Sequence, residues 1–247
     1  MIRCCIFDIG GTIFDKYSLS PLYSLKKAFK LNNVFVTHKC ISKDMGLQKS
    51  KHINTLLLEK NIDDKQLESQ IFADFNEIQN ESLHTCDIIP ETKELISYLH
   101  KQNIKIGVTT GFNKQQTNII QSIFENNDIF IDNYVSSECV SISRPYPYMI
   151  LKNMKDLQID NPKSVIKIDD TNVGIHEGLN AECYTIGVSR WSINMDMFDS
   201  PDEGDFNILQ EKIKQSRYKL QDADYIIDTI DEIPRIIYNI DKLYHIY

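Results

Sequence analysis

The fold of this chain is organised around one segment near its start, Ile6-Phe7-Asp8-Ile9-Gly10-Gly11-Thr12-Ile13-Phe14-Asp15. The residues from Ile2 to Phe7 are apolar apart from Arg3, which predicts a strand buried on both faces. Asp8 follows this strand at once, and the glycines beyond it let the backbone approach a phosphate or a metal closely. A carboxylate at the carboxyl end of a buried parallel strand lies where open α/β sheets bind ligands. A turn with a capping aspartate is the simpler alternative.

Composition places the chain among ordinary globular proteins. Its 247 residues are 42% hydrophobic and 25% charged, enough for one large domain or two unequal ones. The net charge of -8, with no long basic run, argues against nucleic acid or an anionic membrane as a partner. No apolar run has the length of a membrane span, and a strand beginning at Ile2 leaves no room for a signal peptide, so we expect a cytoplasmic protein. The six scattered cysteines show no metal-binding spacing and are expected to be free thiols.

Helical patterns fill the stretch that follows Asp15. Apolar residues at a 3.6-residue period after Pro21 predict a first helix. A second helix is predicted from about Ser42 to Lys60, and a third from about Asp63 to Leu83 with an acidic N-cap. The predicted domains are therefore a core of residues 1–15 and 90–247 and an inserted helical domain of residues 16–89.

From Pro90 onward, short strands alternate regularly with helices. The predicted strands are Ile104–Val108, Tyr134–Ser136, Val165–Ile168, Tyr184–Val188 and Tyr225–Ile227. The predicted helices are Thr92–Gln102, Lys114–Glu125, Tyr148–Leu157, Gly174–Asn180, Asp205–Leu220 and Ile233–Leu243. Strands separated by helices form a parallel sheet, so the sequence predicts an α/β fold with a doubly wound, Rossmann-like sheet.

Polar residues follow the predicted strands at the points where they end. Besides Asp8, these are Thr109-Thr110-Gly111 and Asp169-Asp170, and all carboxyl ends of a parallel sheet share one edge. Two acidic strand ends can hold Mg²⁺, and a Thr hydroxyl with nearby amides can hold phosphoryl oxygens. Arg144, in a proline-rich loop, offers a fixed guanidinium to phosphate charge. Capping or surface charge is the alternative for each feature taken singly.

This order of residues resembles the haloacid dehalogenase superfamily: a nucleophilic Asp, then Ser/Thr, then Lys/Arg, then an acidic pair. The inserted helices resemble the cap domain of that superfamily. Within it, the chain is most similar to the phosphonoacetaldehyde hydrolase (phosphonatase) family, and the similarity covers nearly the whole chain. The matching segments are residues 8–12, Met45-Gly-Leu-Gln-Lys49-Ser-Lys-His52, Thr109-Thr-Gly-Phe112, Arg144-Pro-Tyr-Pro147, Ile168-Asp-Asp-Thr171, Glu177-Gly-Leu-Asn-Ala181 and Tyr225-Ile-Ile-Asp-Thr-Ile230.

Gly10 bears on the reaction, because it lies two residues after Asp8. In the phosphomonoesterases of the superfamily this position is usually a second Asp, which protonates the leaving oxygen. Glycine cannot donate a proton from a side chain, so ordinary ester hydrolysis would lack its acid.

Lys49 lies among apolar residues of the predicted second helix. Met45, Ile53 and Leu56 share its face at 3.6-residue spacing, whereas Lys51 lies about half a turn away and is expected in solvent. A lysine among apolar groups has a lowered pKa, and that favours a nucleophilic amine that forms Schiff bases. A lysine whose stem is buried and whose amine reaches water at the helix edge is the alternative.

The resemblance implies a mechanism for cleavage of a carbon–phosphorus bond. Lys49 would condense with the aldehyde of phosphonoacetaldehyde, Asp8 would attack phosphorus, and the carbon would leave as an enamine. Water would then release phosphate and acetaldehyde. The resemblance also implies Mg²⁺ held by Asp8, the carbonyl of Gly10 and Asp170, and a homodimer formed through the cap.

The remaining roles also come from the resemblance. Thr110, Gly111 and Arg144 would hold phosphoryl oxygens, with Gly10 and Met45 also in contact with the substrate. His52 would move protons, because the unperturbed pKa of histidine lies near neutrality.

Several positions depart from the family pattern. The chain has Gly10 for the common Ala, Phe112 for Tyr, Ser143 for Gly, Tyr148 for Trp and Ser18 for the Cys of some members, and its cap is shorter between Leu56 and Leu67. Two other functions stay open. One is a phosphatase or phosphotransferase acting on a small phosphate ester, and the other is a non-catalytic protein that binds a phosphate ligand or a partner.

Overall fold

A computed structural model describes residues 1–198 and 205–244. Its sheet has six parallel strands in the spatial order β3-β2-β1-β4-β5-β6. The strands are β1 (Cys4–Phe7), β2 (Lys105–Thr110), β3 (Asn133–Ser136), β4 (Val165–Asp169), β5 (Tyr184–Val188) and β6 (Tyr225–Ile227). The predicted doubly wound α/β fold is confirmed, and β1 lies between β2 and β4 at the centre of the sheet.

Helices cover both faces of this sheet. They are α5 (Thr92–Lys101), α6 (Lys114–Asn126), α7 (Tyr148–Asp156), α8 (Asn172–Asn180), α9 (Phe206–Lys219) and α10 (Ile233–Tyr244). One face packs against α5, α6, α9 and α10 in the main apolar cluster, and the other packs against α7. Cys5 and Phe7 belong to the first cluster while Cys4 and Ile6 belong to the second, as expected when successive strand residues face opposite sides.

The stretch between β1 and β2 contains four helices before α5. They are α1 (Leu19–Leu31), α2 (His38–Lys43), α3 (Lys49–Leu58) and α4 (Lys65–Ser82), and we call them the cap helices. They share an apolar cluster in which Leu25, Ile53 and Phe75 are fully buried and to which Ile193 and Phe198 also belong. The Asp64 carboxylate accepts hydrogen bonds from the amides of Gln66 and Leu67, as the predicted N-cap of α4 requires.

The prediction of one helix from Ser42 to Lys60 is wrong. The chain leaves the helix after Lys43 and re-enters it at Lys49, with Gly46 at φ +95° between them. A residue with a side chain rarely adopts this conformation, so the turn depends on glycine. Met45 consequently lies in a turn rather than on the helix that carries Lys49.

The predicted domain limits remain a prediction, and residues 199–204 and 245–247 of the predicted core lie outside the described residues. All six cysteines are free thiols. Within residues 1–198 and 205–244, no helix combines the length and apolar character that a membrane span needs.

Candidate active site

The sheet brings the predicted strand-end residues together. Asp8 directly follows β1, Thr110 ends β2 and Asp169 ends β4, and these three strands are neighbours in parallel register. A cavity of about 30 Å³ opens at this edge. Its lining residues come from the sheet edge, from the turn around Gly46 and from the start of α3: Asp8, Gly10, Ser18, Pro21, Met45, Gly46, Lys49, Thr110, Gly111, Phe112, Arg144, Asp170 and Thr171. Of the predicted site residues, His52 alone does not line it.

The loop after β1 is shaped by Gly11. Its φ of +72° lies in the left-handed region, and a Cβ placed there would lie 2.4 Å from Asp170 Oδ2. Any side chain would therefore strain the backbone and collide with a carboxylate. The close approach keeps the first loop of the chain against the acidic end of β4.

Three carboxylates form a cluster at this point. Asp8, Asp169 and Asp170 each offer an oxygen, and these atoms lie within 4.8 Å of one another. Asp170 Oδ2 accepts a hydrogen bond from the amide of Ile193 at 3.1 Å, whereas Asp170 Oδ1 has no hydrogen-bond partner among the described residues. Burial, with the charges of Asp169 and Asp8, raises the pKa of Asp170 well above its usual value.

The charge balance of the cluster fits a divalent cation. Four buried carboxylates, those of Asp8, Asp169, Asp170 and Glu177, face the buried cations Arg144 and Lys167. Ionisation of all four would leave two negative charges uncompensated by these cations, or one when the Lys49 amine is protonated, and such charges are costly in a buried site. Oxygen donors with this excess charge suit Mg²⁺.

Arg144 lies under the cluster and is 2% exposed. Its Nη2 is 2.8 Å from Asp8 Oδ1, and the same nitrogen donates a hydrogen bond to the carbonyl of Thr109 at 2.7 Å. Burial and the charge of Asp169 raise the pKa of Asp8, and the Arg144 guanidinium opposes that rise. The predicted pairing of a fixed guanidinium with the site is present, although Arg144 contacts the proposed nucleophile directly.

Lys49 is the first residue of α3 and is 6% exposed. Its Nζ lies 3.3 Å from Met45 Sδ, so the thioether is next to the amine although Met45 is not on the same helix. Burial lowers the pKa of Lys49 to about 8, although the charge of Asp8 acts in the opposite direction. Lys51 is exposed, as predicted.

His52 is fully buried, one turn along α3 from Lys49. Neither ring nitrogen has a hydrogen-bond partner in the described part of the chain. Burial and the neighbouring charge of Lys49 lower the pKa of His52 to about 3. The expectation of a near-neutral pKa is therefore wrong, and the imidazole is neutral at physiological pH.

Thr110 and Gly111 form the end of β2 beside the cavity. The Thr110 hydroxyl accepts a hydrogen bond from the amide of Phe112 at 3.2 Å. A Cβ at Gly111 would lie 3.2 Å from the carbonyl oxygen of Leu47, so the turn before α3 rests on this strand end. The cap helices and the sheet edge thus enclose the cavity together.

Three further buried polar residues lie at this site, and two of them were not predicted. Thr109 was expected at this sheet edge without an assigned role, whereas Lys167 and Glu177 were not expected at the site, and each of the three is fully buried. Lys167 could have been noticed, because it interrupts the apolar strand that leads to Asp169. Glu177 lies in helix α8, and nothing in the local pattern marks it as a site residue. It was noted only because it begins one of the segments that match the family.

Comparisons with known proteins agree with this geometry. The haloacid dehalogenase-like hydrolase family matches residues 5–188, which is most of the chain. The chain belongs to this family, and it is a hydrolase.

Two relatives that match over their full length give a more specific similarity than the family does. The chain is 30% identical over 256 residues to a phosphonoacetaldehyde hydrolase of Bacillus cytotoxicus, covering 98% of this chain and 97% of the relative. It is 28% identical over 255 residues to a phosphonoacetaldehyde hydrolase of Parabacteroides distasonis, with 96% of both chains covered. The resemblance found in the sequence is confirmed.

Solved structures are similar over the whole chain. A phosphonoacetaldehyde hydrolase-like protein from Oleispira antarctica has a TM-score of 0.92 at 26% identity, covering 98% of this chain and 93% of the other. A β-phosphoglucomutase from Clostridium difficile has a TM-score of 0.74 at 20% identity with both chains covered completely, which shows a shared fold.

Proposed function

We propose that this hydrolase cleaves the carbon–phosphorus bond of phosphonoacetaldehyde to give acetaldehyde and phosphate. The observation that carries the proposal is the buried amine of Lys49, with a pKa of about 8, in a cavity that Asp8 also lines. The names of the full-length relatives support the same substrate.

Lys49 supplies the electron sink in this proposal. A substantial fraction of its amine is neutral near pH 8, so it can add to the aldehyde and lose water to form an imine. When the carbon–phosphorus bond breaks, its electron pair moves onto carbon and is taken up by the protonated imine as an enamine. Protonation of the enamine carbon and addition of water then return acetaldehyde and free Lys49. Gly10 is consistent with this chemistry, because the leaving carbon needs no acid at that position.

Asp8 is the proposed nucleophile toward phosphorus. Its carboxylate would accept the phosphoryl group as an aspartyl phosphate, which water then hydrolyses to phosphate. Arg144 already lies 2.8 Å from Asp8, so its guanidinium can meet the phosphoryl oxygens as they arrive. The hydroxyl of Thr110 and the backbone at Gly111 line the same cavity and would hold the remaining oxygens.

Mg²⁺ is the proposed cofactor. Asp8, the Gly10 carbonyl and Asp170 would hold it, and the unpartnered Asp170 Oδ1 is an available oxygen among the described residues. When bound, the ion would neutralise charge on the carboxylates and the phosphoryl group. Asp169 is set apart from this ligand set, because its Oδ2 is paired with Lys167 at 2.9 Å.

His52 and Met45 would adjust the chemistry at Lys49. A neutral imidazole can donate from one nitrogen and accept at the other, so His52 can relay a proton without a lasting charge. Met45 Sδ, at 3.3 Å from the amine, would pack beside the imine.

The direct test measures acetaldehyde and phosphate released from phosphonoacetaldehyde with Mg²⁺. The wild type and Lys51→Arg should release both products in equal amounts, because Lys51 is exposed. Lys49→Arg should release neither at a comparable rate, because a guanidinium does not form the imine. Release of phosphate from a panel of phosphate esters that survives Lys49→Arg would indicate a phosphatase instead. Binding of Mg²⁺ and phosphonate without turnover would indicate a non-catalytic protein.

We also propose that residues 16–89 form a cap domain on a core of residues 1–15 and 90–247, and that the enzyme is a cytoplasmic homodimer joined through its caps. Exposed apolar side chains on the cap helices and in the connection between α1 and α2 support the dimer; Leu31 is 61% exposed, Phe35 77% and Leu58 51%. Light scattering should give twice the monomer mass, and Phe35→Glu should shift the mass toward the monomer. A monomeric wild type would contradict the dimer.

A further inference from the structure

A buried polar network lies beside the proposed nucleophile, and of its members only Arg144 also lines the cavity. Its members are Thr109, Arg144, Lys167, Asp169 and Glu177, and each is at most 2% exposed. Polar side chains buried to this degree are costly unless their partners are in place.

The hydroxyl of Thr109 is the centre of the network. It donates to Glu177 Oε2 at 3.0 Å and accepts from Arg144 Nη2 at 2.9 Å and Lys167 Nζ at 2.8 Å. One donor and two acceptor sites are all that a hydroxyl offers. Each is used, so the hydroxyl fixes three charged groups relative to one another.

Glu177 controls the orientation of Arg144. Its Oε2 accepts from Arg144 Nε at 2.9 Å, while Arg144 Nη2 reaches the Thr109 carbonyl at 2.7 Å and Asp8 Oδ1 at 2.8 Å. A guanidinium is planar and rigid, so contacts at Nε and Nη2 determine both its position and its plane. The direction in which Nη2 points at Asp8 therefore depends on a carboxylate that does not line the cavity.

Lys167 and Asp169 complete the network. Lys167 Nζ is 2.9 Å from Asp169 Oδ2 and 3.7 Å from Glu177 Oε2. Burial acts to raise the pKa of Asp169, but the charges of Lys167 and Arg144 hold this pKa below its usual value. A Cβ at Gly174 would lie 1.8 Å from Asp169 Oδ2, so helix α8 leaves room for this carboxylate through its glycine.

We propose that Glu177, supported by Thr109, is a positioning residue that orients Arg144 toward the phosphoryl group. The proposal rests on the proposed function, because it assigns Arg144 to the phosphoryl oxygens. Glu177 touches neither substrate nor Mg²⁺ and acts through the guanidinium. A misdirected guanidinium loses its alignment with the transferring phosphoryl group. A misplacement of about 1 Å can lower the reaction rate about 100-fold.

The experiment compares Glu177→Gln with the matched control Glu182→Gln, an exposed residue just after α8. Three readouts are measured: the thermal midpoint, kcat and KM for phosphonoacetaldehyde, and the inhibition constant of inorganic phosphate. The expected result for Glu177→Gln is a kcat/KM lower by about 10- to 100-fold and a phosphate inhibition constant at least several-fold higher. Glu182→Gln should match the wild type in all three.

The sign of the phosphate effect separates positioning from charge alone. Loss of one negative charge beside Arg144, without reorientation, would strengthen binding of an anion and lower the inhibition constant. A purely structural role would lower the thermal midpoint and leave kcat, KM and the inhibition constant of the folded enzyme unchanged. Either result would overturn the proposal.

Thr109→Val keeps the test decisive if Glu177→Gln does not fold. Valine removes the hydroxyl at nearly constant shape, so phosphate inhibition should weaken in Thr109→Val and weaken less in Thr109→Ser, which keeps a hydroxyl. Equal inhibition constants in the two variants would contradict the proposal. A wild type that does not turn over phosphonoacetaldehyde would instead remove the proposed function, and that outcome is recognised before any variant is compared.

Discussion

Lys49 of the cap helices and Lys167 of β4 are both buried, but their surroundings are opposite. Lys167 lies within 2.9 Å of Asp169 Oδ2 and 2.8 Å of the Thr109 hydroxyl. Lys49 has a thioether at 3.3 Å and forms no ion pair in the described part of the chain. The sheet therefore pairs its lysine with a carboxylate, whereas the cap buries its lysine beside a thioether.

This difference assigns separate tasks to the two regions. Carboxylates raise the pKa of Arg144 on the sheet side even though burial opposes them. On the cap side burial dominates, and the pKa values of Lys49 and His52 fall to about 8 and about 3. In the proposed reaction the sheet thus presents fixed charges to the phosphoryl group, and the cap presents to the aldehyde an amine whose pKa lies well below the ordinary lysine value.

Asp8→Asn should have the largest effect, because it removes the nucleophile from the sheet side alone. We expect phosphate release to fall by about 10⁴-fold or more, since no covalent phosphoryl intermediate can form. The thermal midpoint without Mg²⁺ should not fall, because burial disfavours the Asp8 carboxylate. Steady-state phosphate release and calorimetry check both points. Retention of more than about a tenth of the wild-type rate would contradict the role of Asp8.

Substitution of each lysine by methionine should separate the two regions in stability. Lys167→Met leaves Asp169 with one ionic partner fewer and should cost about 3–5 kcal/mol of unfolding free energy. Lys49→Met replaces a poorly solvated amine by an apolar chain of similar length and should be neutral or stabilising at pH 7. Urea unfolding of both variants checks the contrast, and equal losses would contradict it.

The pH dependence of kcat/KM and of the unfolding free energy should report the titration of the Lys49 amine. Below pH 8 the fraction of neutral Lys49 falls about tenfold per unit, so kcat/KM should fall with the same slope toward acid. The pKa of about 8 in the folded protein lies below the ordinary lysine value of 10.5, so the unfolded chain binds more protons between these two pH values. Unfolding free energy should therefore rise with pH in that window. Lys49→Met should lose this rise, and a profile unchanged by that substitution would assign the titration elsewhere.

Binding of Mg²⁺ at the sheet edge should raise the unfolding free energy by less than the about 3–5 kcal/mol that Lys167→Met is expected to remove. At 100 times the dissociation constant the gain is about 2.7 kcal/mol, visible as a higher thermal midpoint. Asp170→Asn should abolish the shift, because Asp170 Oδ1 is a free carboxylate oxygen among the described residues. Lys49→Met, on the cap side, should keep it. An equal shift in Asp170→Asn would contradict this ligand assignment.

The fold and the sheet edge could be read from local patterns. Apolar runs that end in polar residues gave β5 and β6 at their observed limits, and parallel strands then required Asp8, Thr110 and Asp170 to meet. The break in the predicted Ser42–Lys60 helix escaped prediction for a physical reason. The apolar period continues through Gly46, so one helix was expected where the backbone turns.

Two features of the site depend on long-range contacts and burial, which local sequence patterns do not specify. The pairing of Arg144 with Glu177 joins residues far apart in sequence, and no periodicity encodes it. The pKa of His52 depends on complete burial beside Lys49, which the sequence does not specify.

The most direct measurement is borohydride trapping with phosphonoacetaldehyde, read by mass spectrometry of the peptide that contains Lys49. We expect a reduced adduct on Lys49 that retains phosphorus in Asp8→Asn, because the imine forms and the carbon–phosphorus bond stays intact. The wild type should also yield the two-carbon adduct without phosphorus. Trapping that is absent from Lys49 while acetaldehyde is released, or an Asp8→Asn adduct that has lost phosphorus, would contradict the division of work between cap and sheet.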